Sequence, residues 1–169
     1  LCREFSVPNK SSFVKLKRLA RYLAGLPRLV YQYHWQSLPE HLDIYVDTDF
    51  AGCQATRRST SGGVAMAGGC LLKHWSKTQT TISLSSGEAE LHGIAHCTAQ
   101  GLGMQSLISD LGWKLNLRVH SDATAAIGIC RRKGLGKIRH LATTDLWIQE
   151  AVRSKRLGIL KVVGTDNPA

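Results

Sequence analysis

The sequence predicts an α/β protein, a five-stranded mixed sheet with helices on its faces. Three observations carry this. Three short strand-like runs follow one another with a glycine pair between the second and third; a long helical periodicity comes next; strand, two helices and strand then alternate to the end. The strand runs are the most specific of the three, because their apolar residues recur every second position.

In chain order, "SSFVKLKRLARYLAGLPRL" places Phe13, Leu16, Leu19, Ala20 and Leu23 on one helical face and Lys15, Lys17, Arg18 and Arg21 mainly on the other. Gly25 and Pro27 stop it. This basic amphipathic helix suits packing on a neighbouring domain and phosphate contact equally. After the turn around Pro39, "HLDIYVD" alternates Leu42, Ile44 and Val46 against Asp43, Tyr45 and Asp47, the period of a strand. "GGVAMAGG" and "CLLKHWSK" read as two more strands turning at Gly68 and Gly69. A long helix is expected from Ser85 to about Asp110, with Leu91, Ile94, Ala95, Thr98, Leu102 and Gln105 along one stripe. Its internal glycines weaken helix propensity and permit close packing. "LNLRVHSD" is the fourth strand, "ATAAIGICRR" a short helix, "RRKGLGKIRH" a basic loop, "TTDLWIQEAVRSK" a helix and "LGILKVV" the fifth strand.

With 169 residues and 43% hydrophobic composition, the chain has enough material for one ordinary core. Lys plus Arg number 22 against 12 Asp plus Glu, an excess that favours a polyanionic partner, nucleic acid or an acidic membrane surface. No stretch approaches the roughly 18 apolar residues of a spanning helix, and the N-terminus lacks signal-peptide order. An intracellular protein is expected. The five cysteines, Cys2, Cys53, Cys70, Cys97 and Cys130, are scattered without metal-ligand spacing and read as reduced, mostly buried thiols.

Three acids stand out by position. Asp47 closes the first strand, Asp122 closes the fourth, and Glu90 lies in the first turns of the long helix. If the first and fourth strands are parallel neighbours, Asp47 and Asp122 emerge together at one sheet edge, where a crossing helix could add Glu90. Such like charges repel unless cations hold them, and carboxylate oxygens are the ligand set of Mg²⁺. The acids also have plainer roles: Asp122 as a helix N-cap, Asp49 as a turn cap, and isolated strand-end acids such as Asp47 as solvated groups. Ser85 and Glu88 have capping-box spacing, which gives Glu88 a structural task that Glu90, about 200° away, does not share. His92 and His96, four apart, are a partial zinc pattern without the third ligand or the activating Glu, and are preferred as partly exposed histidines.

The strings "DTDFAGCQATRRSTSG", "HWSKTQTTISLSSGEAELHGIA", "VHSDATAAIGI" and "GTDNPA" resemble, in order and spacing, the ribonuclease H domain of copia-type retrotransposon polyproteins. The resemblance covers roughly residues 38–169, while residues 1–37 look like the segment joining reverse transcriptase to ribonuclease H. It implies a five-stranded sheet of ribonuclease H-like fold and hydrolysis of the RNA strand of RNA/DNA hybrids with two Mg²⁺ ions, Mn²⁺ being a substitute. Asp47, Glu90 and Asp122 match the first three family metal ligands. The fourth acid follows the family's "NPA" string, so the resemblance implies an excised piece with a truncated C-terminal helix, weak or inactive unless extended. Asp166 and Asp145 are the nearest stand-ins, and neither matches the motif.

For this substrate, Arg57 and Arg58 suit phosphates and Ser59, Thr60 and Ser61 suit sugar or backbone oxygens. Lys77, Gln79, Thr80, Ser85 and Ser86 are placed to sense a minor groove and its 2′-hydroxyls. The loop with Arg131, Arg132, Lys133, Lys137, Arg139 and His140 is the densest positive run. Trp75 and Trp147 are assigned to packing. The reverse transcriptase portion of the same polyprotein is the expected protein partner, no membrane is involved, and a cytoplasmic virus-like particle is the implied location, with the nucleus as alternative. Two other classes stay open: a catalytically inactive nucleic-acid-binding or tether domain, and a nuclease or integrase of the same fold acting on DNA.

Overall fold

The computed structural model describes residues 4–134, 136 and 146–169, in two compact units, Leu1–Tyr33 and His34–Ala169. The first unit is built on helix α1, Lys10–Gly25. Asn9 caps it: its side chain accepts from the Ser12 N–H (3.0 Å), and the Ser12 hydroxyl accepts from the Asn9 N–H (3.2 Å). Ser12 also donates to Glu4, whose carboxyl the Lys15 ammonium holds below its ordinary range. Phe13, Leu16, Leu19 and Leu23 all remain exposed, so the apolar face is present but unburied.

The second unit is a five-stranded mixed sheet, as the alternation of elements predicts. Its strands are β1 (His41–Asp49), β2 (Thr60–Ala67), β3 (Cys70–Thr78), β4 (Asn116–Ser121) and β5 (Gly158–Lys161), in the order β3-β2-β1-β4-β5. The meander β1-β2-β3 is antiparallel, whereas β1–β4 and β4–β5 are parallel. Gly68, at φ +59°, makes the β2–β3 turn in a conformation that costs glycine little. Gln36 pins that turn, donating to the Ala67 carbonyl (2.8 Å) and accepting from the Gly69 N–H (2.9 Å).

Helix α2 (Ser86–Asp110) lies on the face presented by Leu42, Ile44, Val46, Leu117 and Val119. Its expected stripe is buried through Leu91, Ile94, Ala95 and Thr98. Each fully buried Leu or Ile contributes about 1.5–3 kcal/mol, enough to override the glycine-weakened propensity. Two glycines set how close the helix comes: a Cβ on Gly93 would sit 2.3 Å from Thr48 Oγ1, and one on Gly101 would sit 2.9 Å from Ile44 Cγ1. Helices α3 (Thr124–Arg131) and α4 (Trp147–Arg153) complete the core with Ile127, Ile129, Ile148 and Ala151. Trp75 and Trp147 pack against it, in keeping with a packing role.

Three features differ from the sequence reading. Strand β1 continues past Asp47 to Asp49, because Thr48 and Asp49 pair with Ser61 and Thr60 of a longer β2. A 3-10 turn, Gly164–Asp166, follows β5. Asp43, in the alternating polar set of β1, is 8% exposed and bound by Arg118 (2.7 and 2.9 Å) and His120 (2.7 Å) from β4. Burial raises its pKa, but the Arg118 and His120 contacts outweigh it and hold the carboxyl below its ordinary range. Of the described cysteines, Cys97 and Cys130 are buried with thiols pushed up to about 12 by that burial, while Cys53 and Cys70 are half-buried.

Candidate acidic metal centre

The parallel register pairs Val46 with Ser121, so Asp47 and Asp122 follow at the same end of adjacent strands. Both are exposed. Ser121 is buried, and its hydroxyl accepts the Ala123 N–H (3.1 Å), turning the chain away from the sheet directly after Asp122. The third acid arrives from above. Ser85 caps α2 by accepting the Glu88 N–H (3.2 Å), and Glu88 reaches back to the Leu84 N–H (2.8 Å), one residue earlier than a capping box requires. Glu90 then points to the sheet, one turn before the close approach at Gly93.

One carboxylate oxygen from each of Asp47, Glu90 and Asp122 lies within 4.8 Å of the others, the one metal-ligand group of this kind among the described residues. Glu90 Oε2 is buried with no hydrogen-bond partner. Burial first, then repulsion from Asp122 and Asp47, pushes the Glu90 pKa up to about 7, against a weaker pull from the Thr48 backbone N–H. Three hard oxygen donors, one of them buried and unsatisfied, fit a hard divalent cation of the Mg²⁺ or Mn²⁺ kind.

A pH dependence follows. The folded protein keeps the Glu90 proton to higher pH than the unfolded chain, whose ordinary value is 4.5. Its contribution to stability is therefore complete below pH 4.5 and is lost as pH rises through about 7. In chelator, Glu90→Gln is expected to melt higher than wild type at pH 8 and to match it near pH 4.5; a parallel pair of curves in thermal melts would contradict this.

The other expected contacts divide. Arg57 and Arg58 are exposed in the β1–β2 loop, and Lys77 and Ser86 are exposed at the same sheet end as the acids. Half-buried Thr60 pairs with Asp49 in the β1–β2 ladder. Four others have polar atoms engaged in hydrogen bonds within the protein. Ser59 is fully buried and accepts the Ala51 N–H (3.1 Å). Ser61 is buried and accepts from Gln79 (2.8 Å), which also donates to the Ala89 carbonyl (2.8 Å) and accepts from Ser83 (3.2 Å). Ser85 is occupied as the α2 cap.

In the basic loop, Arg131 donates to the Ile159 carbonyl (2.7 Å), Arg132 lies against Gly136, and Lys133 is exposed. Lys137, Arg139, His140 and Asp145 lie outside the described residues. Asp49 fills the turn role expected of it by accepting from the N–H groups of Gly52 (3.2 Å) and Thr60 (3.1 Å). Asp166 stands outside the acidic triad, and His92 pairs with Glu88 at 3.7 Å. His92 and His96 line, with Lys77 and Trp147, a cleft of about 350 Å³. The residues missed from sequence are Asp43, Gln36, Gln149, which ties Gly134 to the Ile129 carbonyl, and Asn167.

No protein-family model matches the chain. It is 28% identical over 167 residues, 96% of its length, to the retrovirus-related Pol polyprotein from transposon RE1 of Arabidopsis thaliana. It is 26% identical over 164 residues to that from transposon TNT 1-94 of Nicotiana tabacum. The chain is a homologue of copia-type Pol polyproteins. It spans 11% and 12% of the length of these two relatives. The sheet unit of this Pol homologue has the ribonuclease H fold. LC11 ribonuclease H1, isolated from compost by a metagenomic approach, superposes with a TM-score of 0.52 at 15% identity, over 76% of this chain and 88% of that one.

Proposed function

We propose that this Pol homologue hydrolyses the RNA strand of RNA/DNA hybrids during retrotransposon reverse transcription. The observation that supports it most is the triad of Asp47, Glu90 and Asp122, brought together by parallel strands and a close-packed helix with one buried oxygen unsatisfied. These residues would hold two Mg²⁺ ions. Bound there, the ions supply Lewis-acid activation of water and neutralise the charge that develops on the phosphodiester. Asp47 and Asp122 face solvent and are open to substrate, while Glu90 closes the site from its covered side. Arg57, Arg58 and Lys77, at the same end of the sheet, would attract the hybrid's phosphates, making binding weaken as salt rises. Thr60, Thr80 and Ser86 are the hydroxyls left to meet ribose oxygens. Among the described residues no helix is long and apolar enough to cross a membrane. The reverse transcriptase portion of a longer polyprotein is the proposed protein partner and a cytoplasmic particle the proposed location.

The test offers labelled RNA/DNA hybrid, duplex DNA and duplex RNA, each with Mg²⁺, to this chain and to a version extended past Ala169. Cleavage confined to the RNA of the hybrid supports the reading. Duplex DNA cleavage would replace it with a DNA nuclease, and tight hybrid binding without turnover in either version would replace it with a tether.

A further inference from the structure

The ladder between β1 and β4 ends at Val46 and Ser121, because β4 turns away into α3. The chain leaving β5 returns to this place. The Val162 N–H donates to the Ser121 carbonyl (3.1 Å), and Gly164 lies against Asp122, where a Cβ would come within 3.2 Å of Oδ2. The 3-10 turn then crosses to β1, where Asn167 Nδ2 donates to the Val46 carbonyl (2.9 Å). That carbonyl belongs to the peptide whose nitrogen is Asp47's own. The short segment from Val162 to Asn167 therefore touches both strand-end acids, one by packing and one through the backbone.

We propose that Asn167 is a positioning residue, its amide fixing the Val46–Asp47 peptide so that the Asp47 carboxylate is held in register with Asp122 and Glu90. The inference rests on the reading of that triad as the Mg²⁺ site. Without the amide, the Val46 carbonyl loses this donor and the turn loses its side-chain tie to β1 next to Asp47. Support of this kind for ligand residues is typically worth 10- to 100-fold in metal affinity.

Calorimetric Mg²⁺ titration of wild type, Asn167→Ala, Asn167→Leu, Asn167→Gln, Gly164→Ala and Asp47→Asn tests it, with hybrid binding in chelator and thermal melts recorded for each. Asn167→Leu keeps the size and loses the donor. It and Asn167→Ala are expected to weaken Mg²⁺ binding about tenfold with hybrid binding in chelator unchanged. Asn167→Gln, which keeps an amide, recovers part of that loss, and Gly164→Ala, which crowds Asp122 from the same turn, weakens binding without touching Asn167. Wild-type Mg²⁺ affinity in both the Ala and Leu variants, with binding lost in Asp47→Asn, would overturn the role of Asn167 and leave the metal reading intact. A wild type that takes up no Mg²⁺ would overturn both. A melt lowered in proportion to lost affinity across all the variants, with no recovery in Asn167→Gln, would reduce Asn167 to a general brace.

Discussion

Asp47→Asn is expected to abolish Mg²⁺-dependent hybrid cleavage, by about a thousandfold or more, while hybrid affinity in chelator stays within about twofold of wild type. The two effects separate because different groups carry them. Asparagine keeps the shape and the β1 ladder, so the sheet end and the exposed cations Arg57, Arg58 and Lys77 stay in place. What is lost is one of three anionic oxygens gathered within 4.8 Å, and a neutral amide oxygen cannot balance a divalent cation. The loss of charge beside Glu90 has a second consequence. Repulsion from Asp47 is one of the forces raising the Glu90 pKa, so in metal-free Asp47→Asn that carboxyl titrates below its wild-type value of about 7. Gel-resolved cleavage, fluorescence anisotropy with labelled hybrid, and a carboxyl titration followed by NMR check the three parts. Cleavage retained in Asp47→Asn removes this residue from the site.

Gly93→Ala is expected to destabilise the domain by about 1–3 kcal/mol and to weaken Mg²⁺ binding with it. The added methyl would start 2.3 Å from Thr48 Oγ1, with Val46 Cγ1 at 3.3 Å and Ser61 Oγ at 3.4 Å. Thr48 is buried and shares a hydrogen bond with Ser61 (3.4 Å), so neither side yields freely. Helix α2 must move outward, and Glu90, one turn earlier, moves away from Asp47 with it. Thr48→Ala removes the opposing oxygen, and the double variant should regain much of the loss, the signature of a direct contact. Gly103, in the same helix, is exposed, and a methyl added there would meet nothing within 4 Å. Gly103→Ala should therefore stabilise, by up to about 1 kcal/mol. Thermal melts of the four variants give the comparison, and a Gly93→Ala protein as stable as wild type would show that the helix–strand approach tolerates a methyl.

Much of this architecture is legible one segment at a time. The period-two runs identify the strands, the Gly68–Gly69 pair identifies the hairpin, and Ser85 with Glu88 marks the start of α2, which orients Glu90 inward. The parallel pairing of β1 with β4 stood only as a condition in the sequence, and the observed register meets it by bringing Asp47 and Asp122 to one end. The polar residues near the site were less legible. Ser59, Ser61 and Gln79 look like surface donors in a hydroxyl-rich stretch, yet each is drawn inward by a partner many positions away. Asp43 is polar in an alternating strand and so reads as solvated, until β4 places Arg118 and His120 beside it.

Local patterning thus sufficed for the elements, their order and the three acids, because periodicity, capping and turn preference act between residues a few positions apart. Which polar groups face solvent, how closely α2 approaches β1, and whether Asn167 reaches the Asp47 peptide were decided only on folding. Those contacts join positions that are from 8 to 121 residues apart, and no local preference encodes the distance between them.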